Sequence, residues 1–324
     1  MTFSTLTLVF LMFVPGPSAP LTHQPESEPA KPPQSPMEIH VTPSGGAEKG
    51  SGMEIKVVKP GEKPSEKTAK PGEIVTAEDL LGALEAADAD INAMTADLVY
   101  DKTFDIAGDR QVRWGRLSFT DDHDAAARHR KFAIRFDRLR IGDRLEKEEK
   151  HYVFDGRWLV ERLPGPKQFI KTEIVREGDS FDPLKIGEGP MPIPIGQRKD
   201  DTLARFDVEL LGPADGIEAE TEVETAALIK HTEGTLQLRM VPKPGTQESK
   251  DFQQIRLWYR KGTSKTEAAF LPVMARTVNR AGDVSLVRLS GVEINGKVDA
   301  SVMDTTVPGE GWKTDIRRIG GDKK

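Results

Sequence analysis

Residues 151–170 read HYVFDGRWLVERLPGPKQFI, and the fold turns on how they are read. Asp155-Gly156 sits between two apolar-rich runs. It is the strongest short hairpin signal in the chain, because both residues tolerate the positive φ that a type I′ turn requires. Residues 150–154 and 157–163 are therefore predicted to pair antiparallel. After Pro164-Gly165-Pro166, residues 167–175 are predicted to continue the meander. Aromatic residues make up only 6% of the chain, yet Tyr152, Phe154, Trp158 and Phe169 all fall within this stretch. Something has to cover them.

Upstream, the same period of two recurs. ADLVYDKTF (96–104) and QVRWGRLSF (111–119) flank a turn at Ala107-Gly108-Asp109. KFAIRFDRLRI (131–141) places Phe132, Ile134 and Phe136 on one face, with Lys131, Arg135 and Asp137 opposite. Before the first strand, Thr76 followed by Asp79 reads as a capping box. Leu80, Leu84, Ala87, Ile91 and Met94 then recur at helical spacing, which predicts a helix of about four or five turns ending near Thr95. Downstream, FDPLKIGEGPMPIPIGQ (181–197) alternates Pro190, Pro192 and Pro194 with Met191, Ile193 and Ile195. Proline cannot donate to a sheet ladder, so this is not a central strand. A short helix over 199–206 follows, then strands at 234–241, 252–260, 271–279 and 284–296, with 279–283 as a hairpin loop. Hairpin-like connections throughout predict an α+β fold built on an antiparallel sheet.

The chain has 324 residues, a net charge of −6, 37% hydrophobic and 30% charged residues. Mild acidity without a clustered basic face gives no reason to expect nucleic-acid binding. There are no cysteines, which excludes disulfides, thiolate metal sites, a cysteine nucleophile and lipid attachment at an N-terminal cysteine. Residues 1–19 are expected to be a signal peptide. The apolar run at 6–14 falls short of the roughly 20 residues that a bilayer span needs, and Ser18-Ala19 offers a small-residue cleavage region, although no Lys or Arg precedes the run. Export to the periplasm or cell envelope is the expectation, a frayed apolar N-terminus or an uncleaved anchor being the alternative. Residues 20–75 are rich in Pro, Gly, Ser, Glu and Lys, and no aromatic residue occurs between Phe13 and Tyr100. Such a segment cannot bury enough apolar surface to offset its ordering entropy, so it reads as a disordered tether. Its internal echo, PMEIHV at 36–41 and GMEIKVV at 52–58, is either a duplicated linker or a pair of short docking strands. The expected division is thus 1–19, 20–75, an ordered domain over 76–319, and a frayed tail at 320–324.

Several phrases, in order, resemble the LolA-like family of periplasmic lipoprotein carriers. DLLGALEAADADINAMTADL (79–98) is similar to the family's opening helix and its step into the first strand. Gly115-Arg116-Leu117-Ser118-Phe119 sits where the family has its second strand. Asp155-Gly156-Arg157-Trp158-Leu159 with Lys167-Gln168 resembles a family hairpin. Val298-Asp299-Ala300-Ser301-Val302-Met303 with Val307-Pro308-Gly309 resembles its closing segment. The likeness covers roughly 76–319. It implies an incomplete, half-open antiparallel β-barrel whose hydrophobic concave face is covered by helices. Two departures stand out: the family's arginine after the second-strand glycine is absent from Phe119-Thr120-Asp121-Asp122, and Met303 replaces a phenylalanine.

The resemblance also implies a role. It points to a non-enzymatic carrier that binds an acylated lipoprotein or lipid, with an inner-membrane donor and an outer-membrane acceptor as partners and no cofactor. On such a fold the groove would be lined by Phe132, Ile134, Phe136, Tyr152, Phe154, Leu236, Leu238, Met240, and Val273 or Met274. Met191, Ile193 and Ile195 would form a lid. The rival reading is an envelope sensing or interaction module of the same fold with no transported ligand. A catalytic alternative is weaker. Asp121-Asp122-His123-Asp124 with His129 matches no metal-ligand spacing and reads as a polar loop between strands. His151 with Asp155 could serve acid–base chemistry, but the turn needs Asp155. Neither a phosphate-binding glycine loop nor a Gly-x-Ser-x-Gly elbow occurs. No catalytic residue and no metal site are therefore expected.

Overall fold

The computed structural model describes residues 73–124, 127–176, 198–262 and 270–319, except for the side chains of residues 123–124 and 127–129. The expected signal peptide, the tether up to residue 72, the lid residues Met191, Ile193 and Ile195, and the C-terminal tail lie outside these residues. The described residues belong to one compact unit.

Thr76 caps α1 (Ala77–Asp88) as its sequence predicts. Its hydroxyl accepts from Asp79 N at 3.1 Å, and the Asp79 carboxylate accepts from Thr76 N at 2.9 Å. The helix ends at Asp88 rather than near Thr95. Ile91 lies in the turn that follows, and Met94 lies in β1 (Ala93–Thr103). Both remain buried, because helix and strand feed the same core.

The chain continues through β2 (Arg110–Asp124), β3 (Ala127–Ile141), β4 (Arg144–Phe154), β5 (Trp158–Leu163) and β6 (Gln168–Glu173). Then come α2 (Lys199–Arg205), β7 (Phe206–Leu211), α3 (Glu222–His231) and β8 (Thr235–Pro242). After α4 (Glu248–Asp251) follow β9 (Phe252–Arg260), β10 (Leu271–Asn279), β11 (Val284–Ile294), a 3-10 turn (Ala300–Met303) and β12 (Lys313–Arg317). The strands form one sheet in the order β12-β6-β5-β4-β3-β2-β1-β11-β10-β9-β8-β7. Every pairing is antiparallel except that of β12 with β6, which is parallel. The edge strands β12 and β7 are not joined, so the sheet does not close into a barrel. Among the described residues no helix is long and apolar enough to cross a membrane.

The opening hairpin forms with a shifted centre. Asp155 N donates to Trp158 O at 3.2 Å, so the loop residues are Gly156 and Arg157. Only Gly156 has positive φ, at 102°, so this is not the expected type I′ turn, which needs positive φ at both central residues. The Asp155 carboxylate accepts from Arg157 N (3.0 Å) and Trp158 N (2.7 Å), which fixes the turn from its side. Residues 121–124, expected to be a loop, extend β2: Asp121 faces Arg130 and Asp122 faces His129 across the ladder.

The sheet curls, and α1 shows to which side. This 12-residue helix is about 18 Å long at 1.5 Å per residue. Near its end, Asp88 bonds to Arg130 of β3, and elsewhere it packs against β7. In the sheet order β3 and β7 are seven spacings apart, or roughly 34 Å if the sheet were flat. A short helix reaches both only if the sheet wraps round it, so the α1 side is concave. The convex side carries two separate covers. Val302, Met303 and Trp312 of the C-terminal segment pack on Ala133, Val153, Val160 and Phe169. Ile217 and Leu228, from the loop before α3 and from α3 itself, pack on Trp258, Val273 and Met274.

Candidate functional site

Strand register decides which side chains share the concave face. On β3 and β4, Phe132 pairs with Phe154 and Ile134 with Tyr152. The Phe132 and Phe154 rings stack at 5.8 Å, and Phe136 meets Tyr152 edge-on at 6.4 Å. Continuing across the sheet, Ile134 faces Leu117, which faces Ala96; its neighbour Leu98 faces Leu289 on β11. On the far side Leu238 pairs with Leu257 and Met240 with Ile255. The sequence-derived groove residues Phe132, Ile134, Phe136, Tyr152, Phe154, Leu238 and Met240 therefore share one continuous wall, and all are at most 1% exposed. Leu236 lies on the same face and is half-buried.

Met274 does not join them. A bulge between Pro272 and Met274 shifts the phase of β10 and sends Met274 to the convex face, opposite Trp258 and Arg288. The aromatics of the opening stretch divide in the same way. Tyr152 and Phe154 face the concave wall, while Phe169 lies under the C-terminal segment. Trp158 has Arg157, Lys171 and Arg318 about its ring.

Over the wall lies α1, with Leu80, Leu81 and Leu84 buried against the interior. Its C-terminal end is fastened by charge. Arg130 Nη2 donates to both Asp88 oxygens, at 2.7 and 2.6 Å, and Arg130 Nε donates to Asp121 at 3.0 Å. All three residues are buried. Along its length α1 meets the start of α2: Lys199 pairs with Glu78 at 3.2 Å, and its backbone N–H donates to Glu85. The opposite rim of the wall is polar. Lys150 pairs with Glu161 at 2.8 Å and Arg113 with Glu148 at 2.9 Å. Between the two ends the wall is neutral. Burial pushes the Tyr100 and Tyr152 phenols well above the ordinary range, so both stay protonated.

Of the catalytic alternatives, the side chains of His123, Asp124 and His129 lie outside the described residues. Asp121 points inward to Arg130, whereas Asp122 points outward to Lys131 at 3.2 Å, because neighbours on a strand face opposite sides. No group of three or more acidic or histidine side chains that could hold a metal is found among the described residues. His151 lies on the convex face, its pKa lowered by burial and by Arg135 and Arg162. Both Asp155 oxygens are engaged elsewhere, Oδ1 in the turn and Oδ2 by the Thr305 hydroxyl at 2.9 Å.

Sequence reading missed the ion triad at the end of α1. Nothing in the spacing links Asp88, Asp121 and Arg130, which only the folded hairpin brings together. It also missed α3, although Thr221-x-x-Glu224 carries a capping signal: the Thr221 hydroxyl accepts from Glu224 N at 3.1 Å. Under α3 lies a cavity of about 360 Å³ on the convex side.

No protein-family model matches the chain, and no curated protein matches it. Solved structures to which it is similar include the following three. A putative outer membrane lipoprotein-sorting protein domain from Vibrio parahaemolyticus aligns at 9% identity and TM-score 0.37, covering 69% of this chain and 95% of that one. A LolA superfamily protein from Nitrosomonas europaea aligns at 11% identity and TM-score 0.32, covering 72% and 99%. The MucA/MucB complex structure of Pseudomonas aeruginosa aligns at 12% identity and TM-score 0.35, covering 71% and 61%. All three scores lie below 0.5, so these likenesses carry no weight for what this chain binds. The unclosed sheet with a covered concave face stands on the chain's own strand register.

Proposed function

We propose that the protein is an exported, non-enzymatic binding protein whose concave wall takes up the acyl chain of a lipid or an acylated protein when α1 gives way. One observation carries this reading: a continuous, neutral wall of large apolar side chains lies beneath a short helix fastened at its end by an ion triad. Burying an acyl chain of ~14 CH₂ groups contributes about 11 kcal/mol gross, at ~0.8 kcal/mol each. The three leucines of α1 already contribute roughly 1.5–3 kcal/mol each in the same place. Exchanging helix for ligand therefore leaves a net gain of a few kcal/mol, which suits a ligand that must be released again. The triad favours the exchange. When Asp88 leaves with α1 it enters water, and Arg130 keeps Asp121, so the sheet is not left with a lone buried charge.

On this reading the protein works in the periplasm or cell envelope, between an inner-membrane donor and an outer-membrane acceptor. A second reading, an envelope sensing or interaction module, is favoured by the complete filling of the wall in this structure. The test is titration of the delipidated full chain with a fluorescent C16 acyl probe. We expect saturable uptake that unlabelled palmitate competes away, that Asp88→Asn strengthens several-fold, and that Ile134→Glu abolishes in a protein that stays folded. No saturable uptake by either the parent chain or Asp88→Asn would assign the second reading.

A further inference from the structure

The cavity on the convex face has a lining whose charges are not balanced locally. Its floor is apolar, with Trp258, Met274 and Leu286 rising from β9, β10 and β11, and Ile217 and Leu228 form the roof. At one side Arg110 clamps the roof to the sheet: it bonds Asp101 at 2.6 Å, Glu220 at 2.9 Å and Glu224 at 3.0 Å. That clamp takes up three of the four carboxylates in the lining. The rest of the lining holds Arg140, Arg276 and Arg288 against Glu218 alone, and Glu218 acts on Arg276 only through space. Among the described residues neither the Arg276 nor the Arg288 side chain makes a hydrogen bond or ion pair, and Arg288 Nε is shielded from water without a partner. Burial, together with the neighbouring Arg256, makes Arg276 a poorer proton holder than an ordinary arginine.

We propose that this cavity is a second binding site, for a small amphiphile with an anionic head and a short apolar body. A guanidinium nitrogen held out of water without a partner, as Arg288 Nε is, is costly, and an anion removes that cost with charge-assisted bonds. Trp258, Met274 and Leu286 would receive the apolar body, and the volume lies at the small end of ligand pockets. A neutral apolar guest would leave both arginines unsatisfied, and a cationic one would be repelled. The site is on the opposite side of the sheet from the concave wall and does not depend on acyl uptake there.

Calorimetric titration of the full chain with octanoate, octyl phosphate, 1-octanol and octyltrimethylammonium tests the proposal. Saturable binding of at least one of the two anions, tenfold or more tighter than octanol or the cation, is expected. Comparing octanoate with octyl phosphate identifies the head group. Arg276→Gln/Arg288→Gln should weaken anion binding at least tenfold while C16 probe uptake is unchanged. Ala227→Trp, at an exposed position of α3 that lines the cavity, should fill it and block binding with both arginines intact. Octanol binding as tightly as octanoate, or no saturable anion binding into the millimolar range, overturns the proposal.

Discussion

Arg130 is held between Asp88 and Asp121, and its two partners are not equivalent. Asp121 belongs to the same hairpin and Asp88 to the helix that covers the wall. Removing the cation that two buried carboxylates share takes a charge-assisted partner from each, so Arg130→Ala should cost about 3–5 kcal/mol. Asp88→Ala should cost clearly less, because Arg130 keeps Asp121; urea denaturation of both variants checks the order. Gly115 is a second sensitive position. A Cβ there would lie 2.2 Å from the Arg135 carbonyl oxygen, beside the bulge at Trp114–Gly115. Gly115→Ala should destabilise by about 1–3 kcal/mol, as overpacking does, and a shifted urea midpoint would show it. Two histidines set an acid limit. Burial lowers the pKa of His151 and of His231, whose ring nitrogen meets Val273 O at 3.1 Å. The unfolded chain therefore binds protons first. The stability held above the ordinary histidine pKa is lost as pH falls through the folded values. Urea midpoints at pH 7.5 and 5.5 should differ less in His151→Gln/His231→Gln than in the parent chain.

Among the elements, the hairpins were legible and the helix ends were not. Alternation in KFAIRFDRLRI and the Asp-Gly turn identified β3, β4 and β5, because a half-buried strand prints its two faces directly into sequence. The helical spacing of Ile91 and Met94 misled, since those residues reach the same core from a turn and a strand. Most of β4 before residue 150 was missed because RLEKEEK reads as solvated charge, and this end of the strand is largely exposed. α3 buries only Leu228, too little to show a periodic stripe, and the cavity beneath it went unseen with it. The wall itself was legible, apart from Met274, whose side of the sheet depends on a bulge that no pattern announces. The cap of α1 offers a graded test of the cover. Thr76→Ala should cost about 1 kcal/mol and, if α1 exchanges with an acyl chain, raise C16 probe uptake at the same time; a loss of stability with unchanged uptake would count against that exchange.

Across the whole molecule, one sheet serves both surfaces, and its ends differ. β12 is five residues long, exposed throughout, and carries Lys313, Asp315 and Arg317, the charged and short pattern that discourages further strand addition. Its amides should exchange with deuterium well before those of β1 and β2, as hydrogen-exchange mass spectrometry can resolve. β1 lies inside the sheet, zipped on one side to β2 and on the other to β11, near the far end of the described chain. During synthesis β1 and β2 can pair at once, but the other edge of β1 stays bare until Val284–Ile294 has left the ribosome. A nascent chain halted before that point would display a long, ready template for intermolecular pairing, and closing so distant a contact is slow. Holdase protection during this interval, rather than the strength of the finished core, would then govern how much of the protein matures.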